Sequence, residues 1–173
     1  MAKVNYVKKA RKDNPAVKAG EPYFWWQFAY GPKRYSVKRP RPSQLTQSPY
    51  LSGVRSLVER VNDFEPHDAD KDGFEELRDE IVAELVELRD QCQDSLDNMP
   101  ESLQESPTGE LLQERIDACD NALNSIECID LDELDPENHQ DDEDDEDEIH
   151  EIIMGNMQEF LSMMEDEISQ CDM

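Results

Sequence analysis

The second half of the chain repeats apolar residues every three or four positions, with charged residues between them. This spacing places the apolar side chains on one face of an α-helix. It predicts a long amphipathic helix that begins within 68–74 and stops at Pro100, because proline cannot continue a helix interior. The apolar face comprises Phe74, Leu77, Ile81, Leu85, Leu88, Cys92 and Met99.

A second long helix is predicted after the polar loop 101–107, with Thr108 as its N-cap. Its apolar face comprises Leu111, Leu112, Ile116, Cys119, Leu123 and Ile126. Two amphipathic helices joined by a short loop predict an antiparallel helical hairpin. A shorter helix is predicted to begin near Ser48, with apolar positions continuing to Val61.

A last amphipathic helix is predicted from about residue 148 to residue 170. It either packs on the helical hairpin as a third helix or docks on a partner. A helix of this length is marginal alone, which favours a core role for its methionine-rich face. The methionines concerned are Met154, Met157, Met163 and Met164.

The pattern before residue 45 is different, because aromatic and β-branched residues flank a Gly31-Pro32 turn. Strands are predicted over 21–30 and 34–38, forming a β-hairpin. Alternation along the first strand places Phe24, Trp26, Phe28 and Tyr30 on one face and Tyr23, Trp25 and Gln27 on the other. Residues 1–20 have few apolar side chains and predict a flexible arm or a frayed element.

The predicted fold class is therefore α+β: a small N-terminal β-hairpin module, then an elongated antiparallel helical hairpin and a C-terminal helix. Four segments follow from this. They are a basic aromatic arm with the β-hairpin over 1–45, a helical region over 46–129, an acidic segment over 130–148 and the last helix over 149–173. In 130–148, thirteen of nineteen residues are Asp or Glu. Such a run repels itself, which predicts disorder.

Charge divides the chain even more sharply than hydrophobicity does. The net charge is −26, yet residues 1–60 carry thirteen basic and three acidic residues, a net charge of +10, and the rest carries −36. A split of this size predicts two surfaces with different partners, or two surfaces that bind each other. The chain has no apolar run long enough for a membrane span and no secretory signal pattern, so a cytoplasmic location is expected.

No nucleophile, phosphate-binding or zinc motif is recognisable, so we expect a protein that is not an enzyme and needs no cofactor. The four cysteines have no CxxC spacing and are interpreted as reduced thiols on helices.

The β-hairpin carries the strongest candidate site. Cations bind phosphates and flat aromatic rings stack on unpaired bases, so a surface with both is typical of nucleic-acid binding. The alternative is that the rings form a small core and the cations protect a sheet edge. The candidate nucleic-acid-binding residues are Lys33, Arg34, Lys38, Arg39, Arg41, Trp25 and Tyr23.

The string 26–36, WQFAYGPKRYS, resembles the strand–turn–strand of the arm-type DNA-binding β-sheet at the N-terminus of phage integrases. The resemblance covers residues 21–38 and implies a sheet that enters the DNA major groove. The sequence departs from that family at Pro32 in the turn and has no recombinase catalytic domain. The overall layout also resembles small phage-encoded accessory proteins, which implies a viral origin and a location in the host-cell cytoplasm.

The segment Asp68-x-Asp70-x-Asp72-Gly73 matches the first half of an EF-hand calcium loop. Alternate carboxylates followed by glycine suit Ca²⁺ or Mg²⁺, and Asp68, Asp70 and Asp72 are the candidate ligands. The second half departs from the pattern, with Asp79 at the position of the expected glutamate. Acidic residues also favour helix N-termini, which explains the same composition without a metal.

The acidic residues are candidates for binding a basic partner. The residues in question are Glu76, Glu80, Glu84, Glu87, Asp141, Asp142, Asp144 and Asp145. They form a solvated surface, or cover the basic N-terminal region, or imitate nucleic acid.

The leading hypothesis is a non-enzymatic accessory protein that binds nucleic acid or a nucleoprotein complex through the basic aromatic hairpin. In it, the acidic helical body tunes that binding. The alternative is an acidic inhibitor or adaptor, of the nucleic-acid-mimic type used in phage counter-defence, that binds a basic host protein.

Overall fold

The computed structural model describes residues 2–66, 71–139 and 146–173, except the side chain of Glu146. These form two compact units, Met1–Ser56 and Leu57–Met173. The predicted α+β class is confirmed: a small antiparallel sheet precedes a series of helices. The first unit extends beyond residue 45 into the first helix.

The first unit contains a three-stranded antiparallel sheet whose strands lie side by side in chain order. Its elements are β1 (Asn5–Val7), β2 (Tyr23–Trp26), β3 (Arg34–Ser36), a 3-10 helix (Pro42–Leu45) and the start of α1 (Pro49–Asp63). Tyr6 lies opposite Phe24, and Trp25 lies opposite Tyr35. The sheet therefore has one more strand than the predicted hairpin.

The prediction of a flexible arm over 1–20 is wrong for the described residues. β1 pairs with β2, and the connection between them closes through backbone hydrogen bonds from Ala10 to Glu21 and from Gly20 to Ala10, both 2.8 Å long. Gly20 has a φ of 102°, in the left-handed region that glycine adopts without steric cost. Ala10 and Val17 are buried and anchor the loop.

The predicted strand over 21–30 is shorter in the structure and ends at Trp26. Phe28 leaves the sheet but remains buried, whereas Tyr30 is fully exposed at the tip of the connection. The turn is closed by the Gln27 side chain, whose Nε2 donates to the Gly31 carbonyl over 2.9 Å. Alternation within the strand is confirmed only for the residues that pair in the ladder.

The second unit is built on three long helices: α2 (Lys71–Asp97), α4 (Pro107–Glu127) and α5 (Glu146–Gln170). A short helix, α3 (Glu101–Gln104), lies in the connection predicted as a loop. α2 and α4 run antiparallel, with Arg89 of α2 3.3 Å from Asp120 of α4. α5 packs on α4, and Arg115 in the middle of α4 donates to the Met173 carbonyl over 3.0 Å.

Most residues of the predicted apolar faces are buried in the core of this unit, whereas Met99, Leu111 and Leu112 are half-buried. Burying one such large side chain contributes about 1.5–3 kcal/mol. Phe74 is fully buried and lies 6.1 Å from both Phe64 and Phe160, ring centre to ring centre. Met157 and Met164 of α5 are also fully buried, which confirms a core role for these two methionines. The third-helix alternative for α5 is therefore the observed one.

Two local predictions in this unit are wrong. The N-cap of α4 is Ser106, not Thr108: the Ser106 hydroxyl accepts from the backbone N–H of Gly109, and Pro107 occupies the first turn. Residues 130–139, expected to be disordered, form two 3-10 helices, Leu131–Leu134 and Pro136–His139. Leu134 is 1% exposed, so a buried leucine anchors this acidic segment.

Candidate nucleic-acid interface

One face of the small sheet is aromatic. Tyr23 and Trp25 of β2 and Tyr35 of β3 share it, because alternate residues of a strand point to the same side. The rings of Tyr23 and Tyr35 are 6.0 Å apart, centre to centre, and tilted by 45°. All three side chains are half-buried, so part of each ring remains accessible. Such rings offer flat surfaces on which another ring can stack.

The loop between β1 and β2 forms the wall of a groove beside this face. The groove has a volume of about 480 Å³ and is lined by Val7, Lys9, Arg11, Lys12, Asp13, Asn14, Tyr23 and Tyr35. Three of these eight residues are cationic and two are aromatic, so the groove combines both side-chain types that nucleic-acid binding requires. The sequence pattern did not identify Lys9, Arg11 and Lys12 as candidate site residues.

Side-chain hydrogen bonds hold the loop in shape. Asp13 Oδ1 accepts from the Ala19 N–H over 2.7 Å. Asn14 Oδ1 accepts from the N–H groups of Ala16 and Val17 over 3.0 and 3.1 Å. Asp and Asn commonly organise turns this way. The basic residues of the loop therefore extend from an ordered backbone.

The predicted cations are not gathered in one place. Lys33 lies over the indole of Trp25, with its Nζ 4.4 Å from the ring centre. Arg34 pairs across the ladder with Trp26, on the opposite face of the sheet, and its guanidinium lies 5.2 Å from the Phe28 ring centre. The expectation that Lys33 and Arg34 line the same surface as Tyr23 is therefore wrong for Arg34.

The remaining predicted cations follow β3. Lys38 and Arg39 are exposed, and Arg41 precedes the 3-10 helix Pro42–Leu45, where its backbone N–H donates to Gln44 Oε1 over 3.2 Å. Pro40, between the two arginines, is buried. These side chains extend the basic character of the unit beyond the sheet.

Trp26 contributes to packing instead of to an exposed surface. Its side chain is 5% exposed, and its indole N–H has no hydrogen-bond partner among the described residues. Leaving such a donor unpaired costs about 1–3 kcal/mol. Burying an indole of about 200 Å² gains about 5 kcal/mol, so burial outweighs the unpaired donor.

The acidic residues predicted to bind a partner lie on α2. Glu76 and Glu87 are exposed, whereas Arg60 of α1 approaches Glu80 and Glu84 at 3.3 and 2.6 Å. An ion pair reduces the charge that these two carboxylates present to a partner. A shallow acidic groove of about 590 Å³ is lined by Asp72, Glu75, Glu76, Asp79, Glu80 and Ala83.

Lys71, at the start of α2, connects to the acidic segment that follows α4. Its ammonium lies 3.4 Å from Asp132 and 3.3 Å from Asp135. Desolvation lowers the pKa of Lys71, but hydrogen bonds with both aspartates outweigh it and raise the pKa overall. The pKa of Asp135 is lowered first by a hydrogen bond from the Glu137 backbone N–H and second by a hydrogen bond from the Lys71 ammonium.

Three thiols are buried in the second unit: those of Cys92, Cys119 and Cys171. A hydrogen bond with Cys119, together with burial, raises the pKa of Cys171. Burial also raises the pKa of Cys92. Cys92 and Cys171 therefore resist ionisation, which is the chemistry expected of packing residues.

The predicted metal ligands are only partly described. Asp72 is exposed in the first turn of α2, while Asp68 and Asp70 lie outside the described residues. Asp141, Asp142, Asp144 and Asp145 also lie outside them. Within the described ranges, no cluster of three or more His, Cys, Asp or Glu side chains is arranged to hold a metal ion. Likewise, none of the described helices has the length and apolar character needed to cross a membrane.

No protein-family model, curated protein or solved structure matches this chain. The integrase-like string at 26–36 therefore stays a prediction, and function must be inferred from the side chains that the fold brings together.

Proposed function

We propose that this chain is a non-enzymatic accessory protein that binds nucleic acid or a nucleoprotein complex through its first unit. One observation carries the proposal: a small antiparallel sheet presents an aromatic face next to a groove lined by three cations. The first unit has a net charge of +10, in a chain whose other unit has −36. The integrase-like string on β2 and β3 agrees with this assignment.

Phosphate binding explains why a strongly acidic chain would keep such a basic unit. Cations that neutralise phosphates release counterions, so binding strengthens at low salt. Acidic residues elsewhere repel nucleic acid and weaken non-specific binding, which leaves affinity dependent on the basic unit. The acidic unit would tune affinity in this way, and the protein would act in the cytoplasm.

Titration of the full-length protein against labelled DNA and RNA at several salt concentrations tests the proposal. Exchanging Lys33, Arg34, Lys38 and Arg39 for glutamine should weaken binding and reduce the salt slope by up to about 0.9 per lost duplex phosphate contact. Lys18→Gln is the control, since Lys18 is exposed in the same unit but outside the groove and strands. Absence of binding to any nucleic acid at low salt would refute the proposal.

The acidic groove on α2 favours a second candidate function: an inhibitor or adaptor that captures a basic host protein. Five of its six lining residues are carboxylates, as a nucleic-acid mimic requires. Exchanging Glu76 and Asp79 for lysine should abolish capture of a basic partner, while the same change at Asp94, exposed farther along α2, should not. Capture that survives the first pair of changes would exclude this surface.

A further inference from the structure

The groove beside the aromatic face has the dimensions of a small-ligand site. Its volume of about 480 Å³ lies within the range of about 300–1,000 Å³ typical of ligand pockets. It lies entirely within the first unit, between the loop after β1 and the adjoining faces of β2 and β3. A concave site of this kind accepts a group that projects into it.

The two tyrosines are better placed to stack on a ligand than Trp25 is. Lys33 Nζ lies over the Trp25 ring at 4.4 Å and covers one of its faces. Tyr23 and Tyr35 line the groove directly and are half-buried, so their positions are supported while part of each ring faces the open space. Stacking in this groove would therefore use tyrosine rings.

The cations at the groove are available to a ligand. Lys9, Arg11 and Lys12 are exposed, and none of them forms an ion pair with another described residue. The one carboxylate in the lining, Asp13, accepts a backbone hydrogen bond from Ala19 and so also serves to hold the loop. The lining therefore keeps an excess of positive charge.

Together, these features select a particular form of nucleic acid. In a duplex, bases stack on their neighbours, and only their edges and the phosphates are accessible. A groove with aromatic rings inside and cations around it is filled when a base leaves the stack while its phosphates remain outside. Every base has a flat face, so this arrangement accepts different sequences.

We propose that this groove binds an unpaired nucleotide of a single strand, whose base stacks on the ring pair formed by Tyr23 and Tyr35 and whose phosphates contact Lys9, Arg11 and Lys12. The inference rests on the proposed function and specifies its ligand class. It requires that single strands bind more tightly than a duplex of the same sequence. The integrase-like mode, in which a sheet enters the major groove, requires the opposite order.

The test measures binding of the full-length protein to labelled single-stranded DNA, single-stranded RNA and the matched duplex, by fluorescence anisotropy. Tyr35→Leu should weaken single-strand binding about 5- to 150-fold, the effect of losing one stacked base, and leave duplex binding nearly unchanged. Tyr30→Leu is the matched control, because Tyr30 is fully exposed and outside the groove. A nucleoside monophosphate as competitor separates binding of a free nucleotide from binding of a strand.

A charge variant keeps the test valid if Tyr35→Leu impairs folding. Exchanging Lys9, Arg11 and Lys12 for glutamine alters exposed side chains only and should reduce the single-strand salt slope by about 2, at about 0.7 per phosphate contact. Lys18→Gln should leave the slope within about 0.7 of the wild type.

The outcomes separate the two proposals. Tighter binding of the duplex, or an equal response to Tyr35→Leu and Tyr30→Leu, would overturn the groove assignment while nucleic-acid binding stands. Complete absence of nucleic-acid binding would overturn both proposals. A single-strand preference that depends on Tyr35 and on the three cations would support both.

Discussion

Gly109 lies at the first turn of α4, where a single added methyl group should destabilise the second unit. A Cβ atom at this position would overlap the carbonyl oxygen of Gln104 and lie 2.6 Å from its carbonyl carbon. The Gln104 side chain donates to the carbonyls of Leu96 and Met99 at 3.2 Å each, so α3 is held against the end of α2. Moving Gln104 away would strain these hydrogen bonds, and moving Gly109 away would strain the cap that its N–H makes with the Ser106 hydroxyl.

The magnitude follows from two opposing effects. Alanine is favoured over glycine in a helix by about 1 kcal/mol. Overpacking against backbone costs about 3 kcal/mol, the upper part of the usual range, because a carbonyl group cannot change rotamer. We therefore expect Gly109→Ala to lower the free energy of unfolding by about 2 kcal/mol.

Gly155 in α5 provides a matched control. A Cβ atom there would meet no heavy atom within 4 Å, so helix propensity acts alone. Gly155→Ala should raise the free energy of unfolding by about 0.5–1 kcal/mol. The same chemical change thus has opposite signs at the two positions, and the two variants differ by about 3 kcal/mol.

Urea denaturation followed by far-UV circular dichroism measures this difference, because the helices dominate that signal. Both tryptophans, Trp25 and Trp26, lie in the first unit, so their fluorescence reports whether that unit stays folded in each variant. If Gly109→Ala matched or exceeded the stability of the wild type, the close approach of α3 and α4 would be refuted.

Two further predictions concern ionisable groups. Cys128 is exposed, and the other three thiols are buried. An aromatic disulfide reagent should therefore modify one thiol rapidly in the folded protein and all four after denaturation. Rapid modification of a second thiol in the folded protein would contradict this packing. The Glu137 N–H and the Lys71 ammonium lower the pKa of Asp135, so its contribution to stability is present at neutral pH and is lost as the pH falls through the lowered folded value. Lys71→Met should raise the pKa of Asp135 in an NMR titration, and an unchanged value would mean that the ion pair is not formed in solution.

The sequence was most informative where a pattern repeats over many turns. Phe74, Ile81 and Leu85 of α2 are fully buried, as the three-to-four spacing predicted. A long helix needs one apolar face to fold against its neighbours, so its core positions can be identified without tertiary information. The α+β class was predicted because the three-to-four spacing of the second half of the chain differs from the aromatic alternation around Trp25.

Short elements did not carry enough pattern to be predicted. β1 has three residues, and only its pairing with β2, Tyr6 opposite Phe24, identifies it as a strand. For the acidic segment after α4, the composition predicted disorder where residues 130–139 are ordered. Composition alone did not show that Leu134 is buried or that Lys71 forms ion pairs with two of the aspartates. Both outcomes depend on residues far apart in the chain.

Only some residues of the candidate nucleic-acid interface could be predicted from the sequence, because the others are brought to the site by contacts that the sequence pattern does not show. Lys9 and Arg11 belong to a region without a recognisable pattern, and they become site residues only because hydrogen bonds at Asp13 and Asn14 shape the loop. The strand cations were identified from their proximity in sequence to the rings. However, successive residues along an extended chain point to opposite faces of the sheet. Lys33 and Arg34 are neighbours in sequence, but Lys33 lies on the Trp25 face and Arg34 on the Trp26 face.

The different surroundings of the cations predict which of them contribute most to nucleic-acid affinity. Lys33 and Arg34 each lie over an aromatic ring, a contact worth about 0.5–1 kcal/mol at an exposed site. A phosphate that draws either cation away from its ring must offset that loss. Lys9, Arg11 and Lys12 have no such internal contact with another described residue, so each can turn to a phosphate at lower cost. If nucleic acid binds here, the loop cations should therefore contribute more to affinity per charge than the strand cations that the sequence favoured.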